Sequence, residues 1–221
     1  MKCSGQAPDR GQSGRPAIGD IRRDFTRQDF LGHAVGLGEF SFQAAVTPAM
    51  QTRELARRFG WDDRQIVVNV QGDEPLIDPS TIGGVVAALT RDPSLQMASS
   101  CVALTDRGDH TNPNVVKVVR NLSGDALYFS RAPIPHLRGS GSGRAPVFKH
   151  LGLYAYRRAF LLAFAALPQT PLEVSESLEQ LRALEHGHRI HLVETPFDSI
   201  GVDTPDDLER VRQHISATAR A

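Results

Sequence analysis

Ile66-Val67-Val68-Asn69-Val70-Gln71-Gly72-Asp73-Glu74-Pro75 is the stretch on which the reading of this chain turns. Its first five residues are a mostly apolar, β-branched run with Gly and Pro beyond it, the composition of a strand buried on both faces as in parallel sheets. Immediately after it, Gln71, Asp73 and Glu74 put an amide and two carboxylates past the strand's carboxyl end, where open α/β sheets bind ligands. An acidic pair in such a turn ordinarily caps a helix or faces solvent. Here Asp78-Pro79-Ser80 supplies its own N-cap, with proline at the first helical position, so Asp73 is left without a structural task. A carboxylate of that kind suits a hard cation such as Mg²⁺, which commonly takes one or two protein carboxylates and completes its shell with phosphate oxygens and water.

The remaining composition narrows the class. The 221 residues suffice for one sizeable domain, and 25 basic residues balance 25 acidic ones, so no polyanion-binding surface and no nucleic-acid partner are expected. Cys3 and Cys101 are the only cysteines, too few for a disulfide framework or a zinc site, which fits a reducing compartment. No apolar run approaches membrane-spanning length, and the amino terminus lacks the apolar centre of a secretory signal. The expectation is a cytoplasmic protein with no membrane partner.

In chain order, residues 1–45 differ from the rest. No Leu or Val precedes Leu31, and Gly, Arg, Gln and Ser abound, so the segment is expected to be disordered or poorly packed. Its Gly-rich pieces, Ser4-Gly5 and Gly11 to Arg15, lack the preceding strand that a phosphate-cradling loop needs. Pro48 to Phe59 reads as a short amphipathic helix ending at Gly60. The helix capped at Asp78 carries Ile82, Val85, Val86 and Leu89 on one face. Met97 to Leu104 is a second strand, followed by a polar loop through Asn112-Pro113-Asn114. Val115 to Val119 is a third strand, turned by Asn121 to Asp125 into an antiparallel return over Ala126 to Phe129. Gly139 to Gly143 reads as a flexible loop.

The alternation from Lys149 to Tyr156 places His150 and Tyr154 on one strand face, although a single strand histidine is more often structural than catalytic. A helix is expected over 157–167. Thr170-Pro171-Leu172-Glu173 is a capping-box signature for a further helix. Along that helix Leu178, Leu181 and Leu184 or Glu185 follow a core-facing period, which leaves Glu176, Glu179 and Gln180 on its flanks, where solvated charge is the plain reading. A strand over 189–194 follows. Thr204-Pro205 then opens a last helix with Asp206 and Asp207 in its first turn. Asp203, like Asp73, is left over, and two such aspartates suit a magnesium-phosphate site.

Six segments in order carry a family resemblance: Val68 to Pro75, Asn112 to Lys117, Tyr128 to Arg131, His150 to Arg157, Leu178 to Arg182 and Gly201 to Pro205. Over about 47–214 the chain resembles the 3-deoxy-manno-octulosonate cytidylyltransferases, or CMP-Kdo synthetases. The resemblance implies an α/β nucleotide-diphospho-sugar transferase fold, a Rossmann-like mixed sheet flanked by helices, in a cytidylyltransferase-like domain over 46–221, and a homodimer. It implies that CTP and Kdo give CMP-Kdo and pyrophosphate, a step of lipopolysaccharide synthesis. It also implies that Asp73 and Asp203 are catalytic and hold Mg²⁺, and that Gln71, Arg131, His150, Tyr154, Glu179 and Gln180 surround the sugar acid, with Arg131 against its carboxylate.

The departure lies at the front of the chain. Members of the family start with a strand and an Arg- and Ser-containing loop, ending Gly-Lys, that grips the triphosphate, and residues 1–45 contain no match. The expectation is therefore a sheet without its first strands and a chain that binds CTP poorly or not at all. The alternatives are a transferase for another sugar acid such as sialic acid, and a non-catalytic remnant that associates with an intact homologue.

Overall fold

In a computed structural model of the protein, residues 62–138, 145–202 and 204–218 are described. The expectations for residues 1–45, for the helix at 48–59, for the loop at 139–143 and for Asp203 lie outside them. The elements are β1 (Ile66–Val70), α1 (Pro79–Arg91), β2 (Met97–Ala103), α2 (Arg107–Thr111), β3 (Lys117–Arg120), β4 (Ala126–Ser130), β5 (Phe148–Arg157), α3 (Arg158–Phe164), α4 (Pro171–Glu176), α5 (Leu181–Glu185), β6 (His191–Glu194) and α6 (Pro205–Thr218).

Six strands form one mixed sheet in the order β4-β3-β5-β2-β6, with β1 also paired to β5. The ten-residue β5 is the axis. β2 runs antiparallel along one of its edges, and on the other edge β1 takes Leu153 to Arg157 while β3 takes Phe148 and Lys149. The end of β1 and the start of β3 therefore face each other across Gly152 and His150. Gln71 N–H reaches Gly152 O at 3.2 Å, and His150 N–H reaches Val116 O at 2.9 Å. The gap between the two strand ends is where the turn after β1 and the Asn112 to Val116 segment converge.

β1 is buried as its β-branched run predicts, Val67, Val68 and Val70 lying in the core. Each such side chain contributes about 1.5–3 kcal/mol on burial. Its described partner nevertheless runs antiparallel, and among the described strands the parallel pair is β2 with β6. Burial on both faces, rather than strand direction, is what the apolar run records. α1 matches its signature: Asp78 accepts from Ser80 N–H at 2.8 Å, and Thr81, Ile82, Val85, Val86 and Leu89 are buried.

Two expectations are corrected. The polar segment before Asn112 is not wholly a loop, because Asp106 caps the short helix α2 through Gly108 N–H. The helix opened by Thr170 does not run on through Leu184. It breaks at Ser177, which sits in the left-handed region at φ 52°, and restarts as α5. Leu178 and Leu181 are still buried, but Leu178 reaches the core from the break between the two short helices and Leu181 from the start of α5. Aromatic rings line the path between helices and sheet, with Tyr154, Tyr156, Phe164 and Phe160 stacked in sequence at 6.0–6.2 Å between centroids.

Candidate active site

The turn after β1 is clasped by a single glycine. Gly152 O accepts from Gln71 N–H, and Gly152 N–H approaches Glu74 Oε1 at 3.4 Å. A Cβ at Gly152 would stand 2.7 Å from Gln71 Oε1, so the side chain of Gln71 lies across β5 where only glycine leaves room. The clasp exposes Gln71 and Asp73 and buries Glu74. Asp73 makes no side-chain hydrogen bond with another described residue, while Asp78 caps α1. Its backbone carbonyl accepts from Val202 N–H at 2.8 Å, which brings the segment ahead of α6 against the same turn.

That segment has a second tether. Lys149 Nζ donates to Asp198 Oδ1 at 2.8 Å and to Ser199 O at 2.7 Å. Glu74 Oε2 and Ser199 Oγ are both buried without a hydrogen bond. Burial pushes the Glu74 carboxyl above its ordinary value, and the nearby Ser199 hydroxyl, Gly152 N–H and Lys149 only partly offset it.

On the opposite wall, Glu176 organises Arg131. Its carboxylate accepts from Ser130 Oγ at 2.6 Å and from Arg131 N–H at 2.9 Å, and its backbone carbonyl accepts from Arg131 Nε at 2.9 Å. Burial opposes ionisation of Glu176, but these donors outweigh it and hold the carboxyl below its usual range. Arg131 Nη1 also donates to Pro113 O at 3.0 Å. Among the described residues these contacts engage two of its five guanidinium N–H groups and leave three for a ligand. Beneath it Lys117 is wholly buried and gives its three protons to Asn112 O, Val115 O and Arg131 O at 2.6–2.8 Å. A charge inside the run Val115 to Val119 was the visible signal for this lysine, because a buried ammonium has to find acceptors.

A register shift brings His150 and Tyr154 together. β2 pairs Ser99 with Tyr154 and Ser100 with Leu151, so Gly152 and Leu153 bulge from β5. Unbulged residues four apart on a strand would be about 13 Å apart. Here the two rings lie 5.3 Å apart, with Phe129 edge-on to His150 at 5.0 Å. The shared face is as expected, but the bulge makes the contact. Burial lowers the His150 pKa to about 3 and drives the Tyr154 hydroxyl well above its ordinary value. At neutral pH both are uncharged.

Gln71, Asp73, Arg131, His150, Tyr154, Glu179 and Gln180 all line one cavity of ≈ 1590 Å³. The plain solvated reading fails for Gln180, which is buried; the buried Glu173–Arg182 pair, with Glu179 3.6 Å from Arg182, holds that wall. Sequence reasoning missed Ser99, Lys117 and Lys149; it named Glu74 beside Asp73 without foreseeing its burial, and read Glu176 as solvated flank where it holds Arg131. Among the described residues no three His, Cys, Asp or Glu side chains converge as a metal cage. Asp73, an exposed hard oxygen donor lining this cavity, fits magnesium held by few protein ligands.

The mixed sheet, with its cavity at a strand-end gap lined by Asp73 and Arg131, has the nucleotide-diphospho-sugar transferase fold. A Cytidylyltransferase family model matches residues 49–190. The 3-deoxy-manno-octulosonate cytidylyltransferase of Geobacter sulfurreducens is 50% identical over 203 residues, covering 86% of this chain and 80% of that protein. Its namesake from Geobacter metallireducens is 52% identical, covering 78% and 71%. That from Solibacter usitatus is also 52% identical, and the match spans 66% of its length, just under two thirds. A solved CMP:2-keto-3-deoxy-manno-octonic acid synthetase complexed with CTP matches with TM-score 0.70 and 38% identity, over 77% of this chain and 69% of that one. The chain belongs to the 3-deoxy-manno-octulosonate cytidylyltransferase family.

Proposed function

We propose that the protein transfers a cytidylyl group from CTP to Kdo, giving CMP-Kdo and pyrophosphate for lipopolysaccharide synthesis. The observation that carries this reading is the convergence of Gln71, Asp73, Arg131, His150, Tyr154, Glu179 and Gln180 on one cavity, in a chain whose relatives bear that enzyme's name. The anomeric hydroxyl of Kdo attacks the α-phosphorus in line, and the bond to pyrophosphate breaks. Arg131 offers its free N–H groups to the sugar-acid carboxylate, a charge-assisted pairing. Gln71, Glu179 and Gln180 hold hydroxyls, and the neutral ring of His150 and the hydroxyl of Tyr154 orient the sugar.

Asp73, with Asp203, would hold Mg²⁺, which when bound neutralises phosphate charge as the leaving group departs. The chain's own task is positioning: Gly152 and Val202 fix the Asp73 turn, and Glu176 and Lys117 fix Arg131. The reading extends to a cytoplasmic homodimer. No helix among the described residues is long and apolar enough to cross a membrane, and Leu127, exposed on the sheet-edge strand β4, offers apolar surface to a second copy.

The test is pyrophosphate release by the full chain with CTP, Kdo and Mg²⁺, beside reactions lacking Kdo and with sialic acid in its place. Release that depends on Kdo is expected. Release with sialic acid alone would favour the other sugar acid. A folded chain that binds Kdo in calorimetry yet releases nothing would favour the non-catalytic remnant.

A further inference from the structure

Ser99 lies on β2, fully buried, 51 residues from His150 in sequence, and touches two groups at once. Its Oγ is 2.8 Å from Leu153 O and 2.8 Å from His150 Nε2. A hydroxyl has one proton, and a carbonyl oxygen can only accept. Turning that proton to His150 would leave two oxygens 2.8 Å apart, buried, with no hydrogen between them. Ser99 therefore donates to Leu153 O, the carbonyl of the β5 bulge, and accepts from His150 Nε2–H. Phe129 edge-on and Tyr154 at a tilt hold the ring plane.

The geometry points to Ser99 as the positioning residue that fixes His150 in its Nε2–H tautomer, so that Nδ1 faces the cavity ligand as a hydrogen-bond acceptor for a hydroxyl of the sugar acid. The sugar half of this inference rests on the function proposed above. It divides the work in the cavity: Arg131 takes the carboxylate, and His150 takes a hydroxyl proton. A ring kept neutral by burial agrees with that division.

The test is long-range ¹H–¹⁵N correlation on the full chain with ¹⁵N-labelled histidine at pH 7. His150→Gln identifies the His150 signals among the eight histidines. The expected pattern is a single neutral Nε2–H tautomer, whose Nδ1 resonance moves when Kdo is added. Ser99→Thr keeps the hydroxyl and is expected to keep the pattern. Ser99→Ala is expected to show averaged or reversed tautomers and a KM for Kdo raised about ten-fold, with kcat changed less, the scale of one lost hydrogen bond.

An Nδ1–H tautomer or a charged ring in the wild-type chain overturns the inference, as does an unchanged pattern in folded Ser99→Ala. If Ser99→Ala does not fold, the wild-type and Ser99→Thr spectra still decide. Kdo that binds without moving Nδ1 overturns the acceptor role alone. Kdo that does not bind at all overturns the functional reading and that role with it, while the tautomer assignment still stands or falls on the spectrum.

Discussion

Asp73 and Val202 are joined by a backbone hydrogen bond, Val202 N–H to Asp73 O at 2.8 Å. The turn after β1 and the segment ahead of α6 are thereby one piece of structure, although 129 residues separate them in sequence. The bond uses the carbonyl of Asp73 and leaves its carboxylate to the cavity. Asp73→Asn should therefore keep the fold and lose the charge. Pyrophosphate release is expected to fall about 10²–10³-fold, the scale of removing one preorganised electrostatic contact to a transition state. The melting temperature should move little, as for other exposed substitutions. A chelator added to the wild-type chain should abolish release, and magnesium should restore it. An unchanged rate in Asp73→Asn would remove this residue from the chemistry.

Gly152→Ala tests the clasp on the other side of the same turn. The added methyl would meet the end of a flexible side chain, Gln71 Oε1, at 2.7 Å, and Gln71 is exposed and free to swing. The expected outcome is a stability change of less than about 1 kcal/mol with a raised KM for Kdo, because Gln71 is displaced from the cavity. Steady-state kinetics beside thermal melting separates the two. A large loss of stability with unchanged KM would mean that the backbone, rather than Gln71, gives way.

What was legible in the sequence was local. The strand 66–70 follows from its β-branched run, and α1 from a cap and a proline within three residues, both determined by neighbours along the chain. Of the residues that the family motifs mark, Gln71, Asp73, Arg131, His150, Tyr154, Glu179 and Gln180 share one cavity. Ser99 and Glu176 were not legible, because their meaning lies in partners 51 and 45–46 residues away. The break at Ser177 was hidden for a related reason. Leucine spacing allows a continuous helix, and the turn that interrupts it is held by Leu178 N–H on Glu173 O and by the pairing of Glu173 with Arg182, which period cannot encode.

Stability should carry the mark of Glu74. Burial raises its carboxyl in the folded state, so the fold favours its protonated form. The contribution of this group is full below the unfolded value of roughly 4.3 and is lost as pH rises through the folded value. Glu74→Gln keeps the shape without the charge. Its melting temperature relative to wild type should be more favourable at pH 8 than at pH 4. Asp125, Glu173 and Glu176 behave oppositely: hydrogen bonds and cations outweigh burial and depress their carboxyls. Their contribution is present above about pH 4 and is lost as pH falls through the folded values, so both proteins should melt earlier in stronger acid. A wild-type-to-variant difference that is the same at pH 4 and pH 8 would sink the account of Glu74.

The buried pair of Glu173 and Arg182 governs the wall that carries Glu179 and Gln180. Arg182 Nε donates to Glu173 Oε2 at 2.8 Å, and a second bond joins Nη2 to Oε1. Glu173 also accepts from Thr170 N–H at 3.2 Å, closing the cap of α4, while the Arg182 guanidinium lies 5.4 Å from the Phe164 ring. Removing either partner strands the other charge in the core. Glu173→Leu and Arg182→Met should each cost about 3–5 kcal/mol in chemical denaturation, whereas the double variant should recover much of that loss, since a buried pair can be exchanged for apolar residues at little cost. Each single variant should also raise the KM for Kdo, because the break at Ser177 that presents Gln180 to the cavity is pinned by this pair. Single and double losses that simply add would show that the two charges are not coupled, and the cavity wall would then have to be held by the burial of Leu178 and Leu181 alone.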